Sequence, residues 1–264
     1  MKILFERKSA QVQVQLQPPH DRLTTWFQSL SGLGYEHCIT DDETPLASQL
    51  EGADVYVSLT RQSANPSLPG NPSFSYTPGE LYALQTWARG GGSILMFTNH
   101  GAFAENPDND EPSWPIFAIQ LAASLDIQLV FASFAPRGNS PHITNPCGGQ
   151  NQTLGMRPAL GAPAAVKDGV HHVQALDSGG IVTGRGTALV HLPGEVDCAD
   201  ESGLGYHPEH HSFAALYTFG TGKVIVMGHS GIVGNTGTCS PSAGQIDAAD
   251  NLRFLNNCIT YLGS

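Results

Sequence analysis

The sequence predicts an α/β fold: a mostly parallel central sheet, helices on both faces and a small antiparallel extension. Three observations carry that prediction. Strand-like apolar runs alternate with helically spaced apolar residues, as a parallel sheet with crossover helices requires. The run Ser93–Phe97 is apolar on both faces, the mark of a strand deep inside such a sheet. Near the carboxyl end, two apolar runs flank Gly220-Thr221-Gly222, the strongest hairpin signal in the chain.

The elements follow in order. Lys2–Phe5 is the first strand, and residues 20–33 form a helix with Leu23, Trp26, Phe27 and Leu30 on one face and glycines closing it. Residues 35–40 are the second strand, 46–50 a short helix and 53–59 (ADVYVSL) the third strand. After a loop rich in Asn, Pro and Ser (62–76), Thr77-Pro78-Gly79-Glu80 starts a helix: a hydroxyl to cap, Pro at the first helical position, Glu reaching back. Leu81, Leu84 and Trp87 give it a core face, and Gly90-Gly91-Gly92 ends it before the fourth strand. An acidic loop (105–111) precedes a helix over 114–125 and a strand over 128–132. Residues 137–163 read as loop. The alternation over 170–192 predicts the antiparallel extension, and 247–262 closes the chain as an amphipathic helix with Leu252, Leu255, Ile259 and Leu262 inward.

A chain of 264 residues can bury a core without staples, and a single domain over 1–264 with a loop-rich insertion at about 133–212 is expected. A net charge of -11 disfavours nucleic acid and acidic membranes, whose recognition depends on Lys and Arg. Met1 leads straight into a strand, and no apolar run approaches membrane-spanning length, so a soluble, cytoplasmic protein is expected; self-association is left open. Five cysteines without Cys-x-x-Cys spacing speak against a zinc ribbon or a full disulfide framework. Cys38 and Cys258 lie in apolar elements and read as core residues; Cys147, Cys198 and Cys239 fall in Gly/Pro/Ser-rich stretches where one bridge is conceivable.

In an open parallel sheet, residues just after the strand carboxyl ends converge on one crevice. That rule collects Glu6 and Arg7, Asp41 and Asp42, Thr60 and Arg61, Asn99 and His100, and His229 and Ser230. The stretch from Ser93 into Thr98-Asn99-His100-Gly101 has the frame of a catalytic elbow, with Asn99 where a nucleophile would stand. The expected site is catalytic His100, His229 and Glu6, the carboxylate orienting a histidine, with Asn99, Arg61, Ser230 and Asn235 holding a small polar substrate. A structural, hydrogen-bonded role for either histidine competes with this. Gly-x-Ser-x-Gly and phosphate-loop patterns are absent from the sequence, which disfavours a standard serine hydrolase or nucleotide triphosphatase.

Three phrases carry a resemblance. They are 76–81 (YTPGEL) running through Trp87 and the triple glycine into Ser93-Ile94-Leu95-Met96-Phe97-Thr98-Asn99-His100; then 220–230 (GTGKVIVMGHS); then 250–257 (DNLRFLNN). Together the chain resembles the class I glutamine amidotransferase-like superfamily, in a bacterial branch that lacks the amidotransferase cysteine. The resemblance implies a flavodoxin-like three-layer sandwich. In the true amidotransferases a cysteine nucleophile occupies the Asn99 position and a histidine follows the last core strand, where His229 stands. Asn99 therefore argues against glutaminase chemistry.

The expected function is a hydrolase acting on a small ester, amide, phosphate ester or glycoside through histidine and carboxylate. One alternative is a non-catalytic domain binding a ligand or a protein on the same scaffold. Another is a metal-dependent hydrolase using His207, His210 and His211, whose imidazoles near Asp197, Asp200 and Glu201 would suit zinc. Their spacing matches no zinc signature, and no cofactor or metal is expected. His171-His172 lies in a strand-like alternation. Asp108 to Glu111 lacks EF-hand spacing and reads as a solvated turn.

Overall fold

The computed structural model describes residues 1–9, 12, 15–16, 21–61, 75–98, 116–136, 154–175, 178–194, 196–200, 211–235 and 245–264. Among the described residues five strands form the parallel part of the sheet: β1 (Lys2–Phe5), β2 (Glu36–Ile39), β3 (Val55–Ser58), β4 (Ser93–Phe97) and β12 (Gly222–Met227). Their order is β2-β1-β3-β4-β12, and each neighbouring pair is parallel. This is the flavodoxin-type order, in which the chain reverses its direction of travel between the first and third strands. The sheet continues beyond β12 through antiparallel strands: β5 (Leu129–Pro136), β8 (Ser178–Val182), β9 (Thr187–His191), β10 (Val196–Asp200) and β11 (His211–Phe219). The antiparallel extension foreseen over 170–192 thus joins the main sheet. A separate two-stranded ladder pairs β6 (Leu154–Met156) with β7 (Val173–Ala175).

Helices cover both faces. On one side α1 (Thr24–Gly32) and α6 (Asn251–Leu262) pack Trp26, Leu30, Phe254, Leu255, Cys258 and Ile259 onto Ile3, Phe5, Val57, Leu95, Phe97, Ile225 and Met227. On the other, α2 (Leu46–Leu50), α3 (Pro78–Arg89) and α4 (Ile116–Ser124) pack Leu50, Leu84, Ala88, Leu121 and Ala122 onto Leu4, Tyr56, Ile94, Met96, Val224 and Val226. Odd strand residues take one face and even ones the other, the period-two alternation of a pleated strand. Every residue of β3 and β4 is buried, at about 1.5–3 kcal/mol for each large apolar side chain. A short helix α5 (Ala164–Lys167) packs on α6.

Local chemistry matches the sequence where it is most explicit. Thr77 caps α3 by accepting from the Glu80 amide (3.2 Å), while Glu80 accepts from the Thr77 amide (2.8 Å). The β11–β12 hairpin turns at Gly220-Thr221, with Gly220 at φ 65°. Cys38 is half-buried and Cys258 buried, both reduced, and burial pushes both thiols up. Cys198 lies on β10 rather than in a loop, whereas Cys147 and Cys239 lie outside the described residues. Among the described residues no helix is long and apolar enough to cross a membrane.

Candidate functional site

The carboxyl ends of the parallel strands are stitched side to side. The Glu6 amide donates to the Val57 carbonyl (2.9 Å), the Thr60 hydroxyl to that of Phe97 (3.0 Å) and the Thr98 amide to that of Met227 (2.8 Å). Thr60 adopts φ 60°, a left-handed conformation costing a β-branched residue roughly 1–2 kcal/mol, and its hydroxyl bonds hold it there. That turn takes the chain off β3 and carries Arg61 into an antiparallel bridge with Ser9 beside β1.

Glu6 and Arg61 therefore meet at the point where strand order reverses. Their ion pair measures 2.7 Å, with the side chains 2% and 1% exposed. The Glu6 carboxylate accepts five hydrogen bonds: from Tyr56 (2.6 Å) and Arg61 Nε (2.7 Å) on Oε1, and from Ser58 (2.7 Å), Ser9 (3.0 Å) and Tyr76 (3.2 Å) on Oε2. A buried carboxylate survives only with this degree of satisfaction. Arg61 reaches onward to Glu80 (2.9 Å) and the Ser75 carbonyl (3.0 Å), and its guanidinium lies 3.5 Å from the Tyr76 ring centroid. Lys8 adds a second cation to Glu80 at 2.9 Å. Burial works against a charged Arg61, but Glu6, the tyrosines and Glu80 outweigh it and hold the guanidinium firmly charged. Burial, followed by the Glu6 charge, keeps Tyr56 and Tyr76 as phenols.

Glu80 links this cluster to pH. Burial favours its neutral form, yet hydrogen bonds from Arg61, the Thr77 amide and Lys8 prevail and hold its pKa down from 4.5 to about 2. A carboxylate depressed in the fold stabilises fully above its unfolded value, and that stability drains away as pH falls through the folded value. Urea midpoints are therefore expected to decline between about pH 4.5 and 2, with a flatter decline in Glu80→Gln. Identical slopes would remove Glu80 from the account.

His229 belongs to the opposite side of the sheet. Glu6 continues the even face of β1, the side of α3, as its contacts with Tyr56 and Tyr76 show. His229, extended at φ -152° and ψ 127°, continues the odd face of β12 after Ile225 and Met227, the side of α1 and α6. Three strand spacings, roughly 14 Å, also separate β1 from β12. The structure joins Glu6 to Arg61 and Tyr56, not to His229. This departs from the expected acid–histidine couple because the pleat sends the two side chains to different faces.

Around His229 a second polar group assembles. The histidine caps a 3-10 turn, Ser230–Val233, its Nδ1 accepting from the Gly231 amide at 3.2 Å. A Cβ on Gly231 would fall 2.4–2.7 Å from the imidazole, and one on Gly234 would fall 2.5–2.8 Å from the Arg22 guanidinium, so both glycines make room for polar side chains. Arg22 is buried, and that burial draws its pKa to about 10 against the pull of Asp21. Ser230 is buried within the turn. Asn235 braces the start of α1: its Oδ1 accepts from the Thr25 amide (3.1 Å), its Nδ2 donates to the Asp21 carbonyl, and its own amide donates to the Arg22 carbonyl (2.9 Å).

Asn99, His100, His207, His210 and Asp108 to Glu111 lie outside the described residues. His211 opens β11, buried and 5.3 Å from the Phe134 ring centroid. Among the described residues no three His, Cys, Asp or Glu side chains are gathered as for a metal. Sequence reasoning missed Tyr56, Ser58, Tyr76 and Ser9 as partners of Glu6, and Arg22 as a buried cation. Tyr56 and Ser58 carried a readable signal: two polar side chains two apart on a strand otherwise apolar on both faces.

No protein-family model matches the chain, and no curated protein matches it. Solved structures do resemble it. The mmIFT52 N-terminal domain superposes with a TM-score of 0.61 at 12% identity, covering 100% of this chain and 98% of that one. The cytoplasmic protein STM1381 from Salmonella typhimurium LT2 gives 0.59 at 12% identity, with 99% of each chain covered. A ThuA-like protein from Parabacteroides merdae gives 0.51 at 10% identity, covering 100% of this chain and 89% of that one. At such identities the likeness is one of fold: the chain shares a flavodoxin-like α/β sandwich with these proteins.

Proposed function

We propose that the chain is a non-catalytic member of the class I glutamine amidotransferase-like superfamily that binds a small polar ligand at the carboxyl ends of β1, β3, β4 and β12. Ligands in open α/β sheets dock at the point where strand order reverses, and Glu6, Thr60 and Arg61 stand there. The observation that carries the reading is the Glu6 carboxylate. Five side-chain donors hydrogen-bond it, so this buried acid is committed to holding the crevice together. Asn99, polar but non-nucleophilic, agrees with this.

A hydrolase remains the second reading. It is favoured by the fixed imidazole of His229 at the end of the last core strand and by a second histidine, His100, in the sequence shortly after β4. A thermal-shift screen against sugars, carboxylates, phosphate esters and nucleosides tests the binding reading. At least one class is expected to raise the midpoint with saturable, concentration-dependent linkage. No response from any class would set the reading aside.

A further inference from the structure

The short ladder of β6 and β7 leaves one backbone edge open. In an antiparallel pair, two opposed residues either exchange both hydrogen bonds or both turn their N–H and C=O outward. Gln174 of β7 donates its amide to Asn251 Oδ1 (2.9 Å), and its carbonyl accepts from Asn251 Nδ2 (2.8 Å), so its backbone faces α6. Gly155, opposite it on β6, therefore turns its own N–H and C=O off the far edge of the ladder. That edge meets the chain leaving β9, where Pro158 and Val190 form a bridge and the Ala159 amide donates to the Leu189 carbonyl (2.8 Å). Continued in that register, the pairing sets Gly155 opposite Pro193, which has no N–H to give. The two backbones part there around a cleft of about 450 Å³.

Gly155 is exposed, and a Cβ on it would meet nothing within 4 Å, so the edge is open to a second chain. Leu160 stands at the cleft 96% exposed, above the buried side chains of Met156 and Leu192. Arg157 and His191, both exposed, line it as well, and Lys167 Nζ sits on the Leu160 carbonyl (2.8 Å). None of the described residues lining the cleft is acidic, although the chain carries a net charge of -11. An amide and a carbonyl side by side on an unpaired edge are what an added strand bonds, and the cations choose its sign. We propose that this cleft takes an extended acidic segment of a partner protein, which adds to β6 through the Gly155 amide and carbonyl, covers Leu160 with apolar side chains and turns carboxylates toward Arg157. The surface shares no residue with the strand-end crevice and stands apart from ligand binding there.

Fluorescence anisotropy of the full chain with a labelled peptide of alternating valine and glutamate tests the proposal, beside the corresponding valine–lysine peptide. Saturable binding of the glutamate peptide is expected, at least tenfold tighter than that of the lysine peptide. N-methylation of its valine amides and of its glutamate amides, in separate peptides, is expected to abolish binding in one and spare it in the other, because an added strand bonds through alternate residues only. Leu160→Asp and Arg157→Glu, both at exposed positions, are expected to keep the unfolding midpoint and to weaken binding at least tenfold. Absence of binding, equal affinity for the lysine peptide, indifference to both methylations, or binding unchanged in either variant overturns the proposal. Peptide binding that behaves as expected while every small-molecule class leaves the thermal midpoint unmoved would set aside the strand-end reading alone.

Discussion

Replacement of Arg61 by methionine is expected to destabilise the fold by about 3–5 kcal/mol, the cost of stranding buried charges by removing their partner. Arg61 is 1% exposed and bridges Glu6 at 2.7 Å and Glu80 at 2.9 Å, so its loss leaves two carboxylates short of a cation. Lys8 compensates Glu80 in part, but no second cation is recorded on Glu6 among the described residues. Lysine is expected to rescue little. Arg61 spends Nε on Glu6 and its two terminal nitrogens on Glu80 and Ser75, a planar fork that one ammonium cannot copy. Combining Arg61→Met with Glu6→Gln should recover part of the loss, and a double-mutant cycle by urea denaturation reads the coupling directly. A loss under about 1 kcal/mol for Arg61→Met would mean the network is not the keystone of this sheet edge.

The second large effect is expected at Gly222, the first residue of β12. A Cβ there would lie 2.2 Å from the Gly92 carbonyl oxygen and 2.3 Å from that of Ala88. Both are backbone atoms, held by the end of α3 and the entry to β4, so neither can rotate away. Gly222→Ala is expected to cost about 3 kcal/mol, the upper end for overpacking. Gly194, whose Cβ would meet nothing within 4 Å, supplies the control: Gly194→Ala should change the midpoint little. Equal midpoints for the two variants would show that the hairpin can shift off α3 cheaply.

The difference between these positions bears on what the chain announced. The capping box at Thr77 and Glu80, the hairpin at Gly220-Thr221 and the two-sided burial of β4 were legible because local sequence determines them. The strand-end rule brought Glu6 and Arg61 onto one list, and they do form a contact. It could not tell that Glu6 and His229 leave the sheet on opposite faces, because that depends on counting parity along two strands from their true last residues. Glu80 was read from its cap alone; its second role, as partner to Arg61, needs the long-range approach of β3 to α3. The joining of β8, β9 and β11 was hidden for a related reason. The β9–β11 pairing carries register shifts, between Ser212 and Ala214 and again at Ala215, and such bulges break the alternation from which strands are read.

On the proposed reading the strand-end crevice binds without catalysing. Turnover across chromogenic esters, amides, phosphate esters and glycosides, with and without chelator, tests it most directly when His100→Ala, His229→Ala and Glu6→Gln are assayed beside the unaltered chain. No turnover that either histidine substitution abolishes is expected, and a lowered unfolding midpoint is expected as the chief effect of Glu6→Gln. Turnover lost in His229→Ala or His100→Ala with the fold intact would contradict it and establish the hydrolase; dependence on chelator would move the chemistry to a metal.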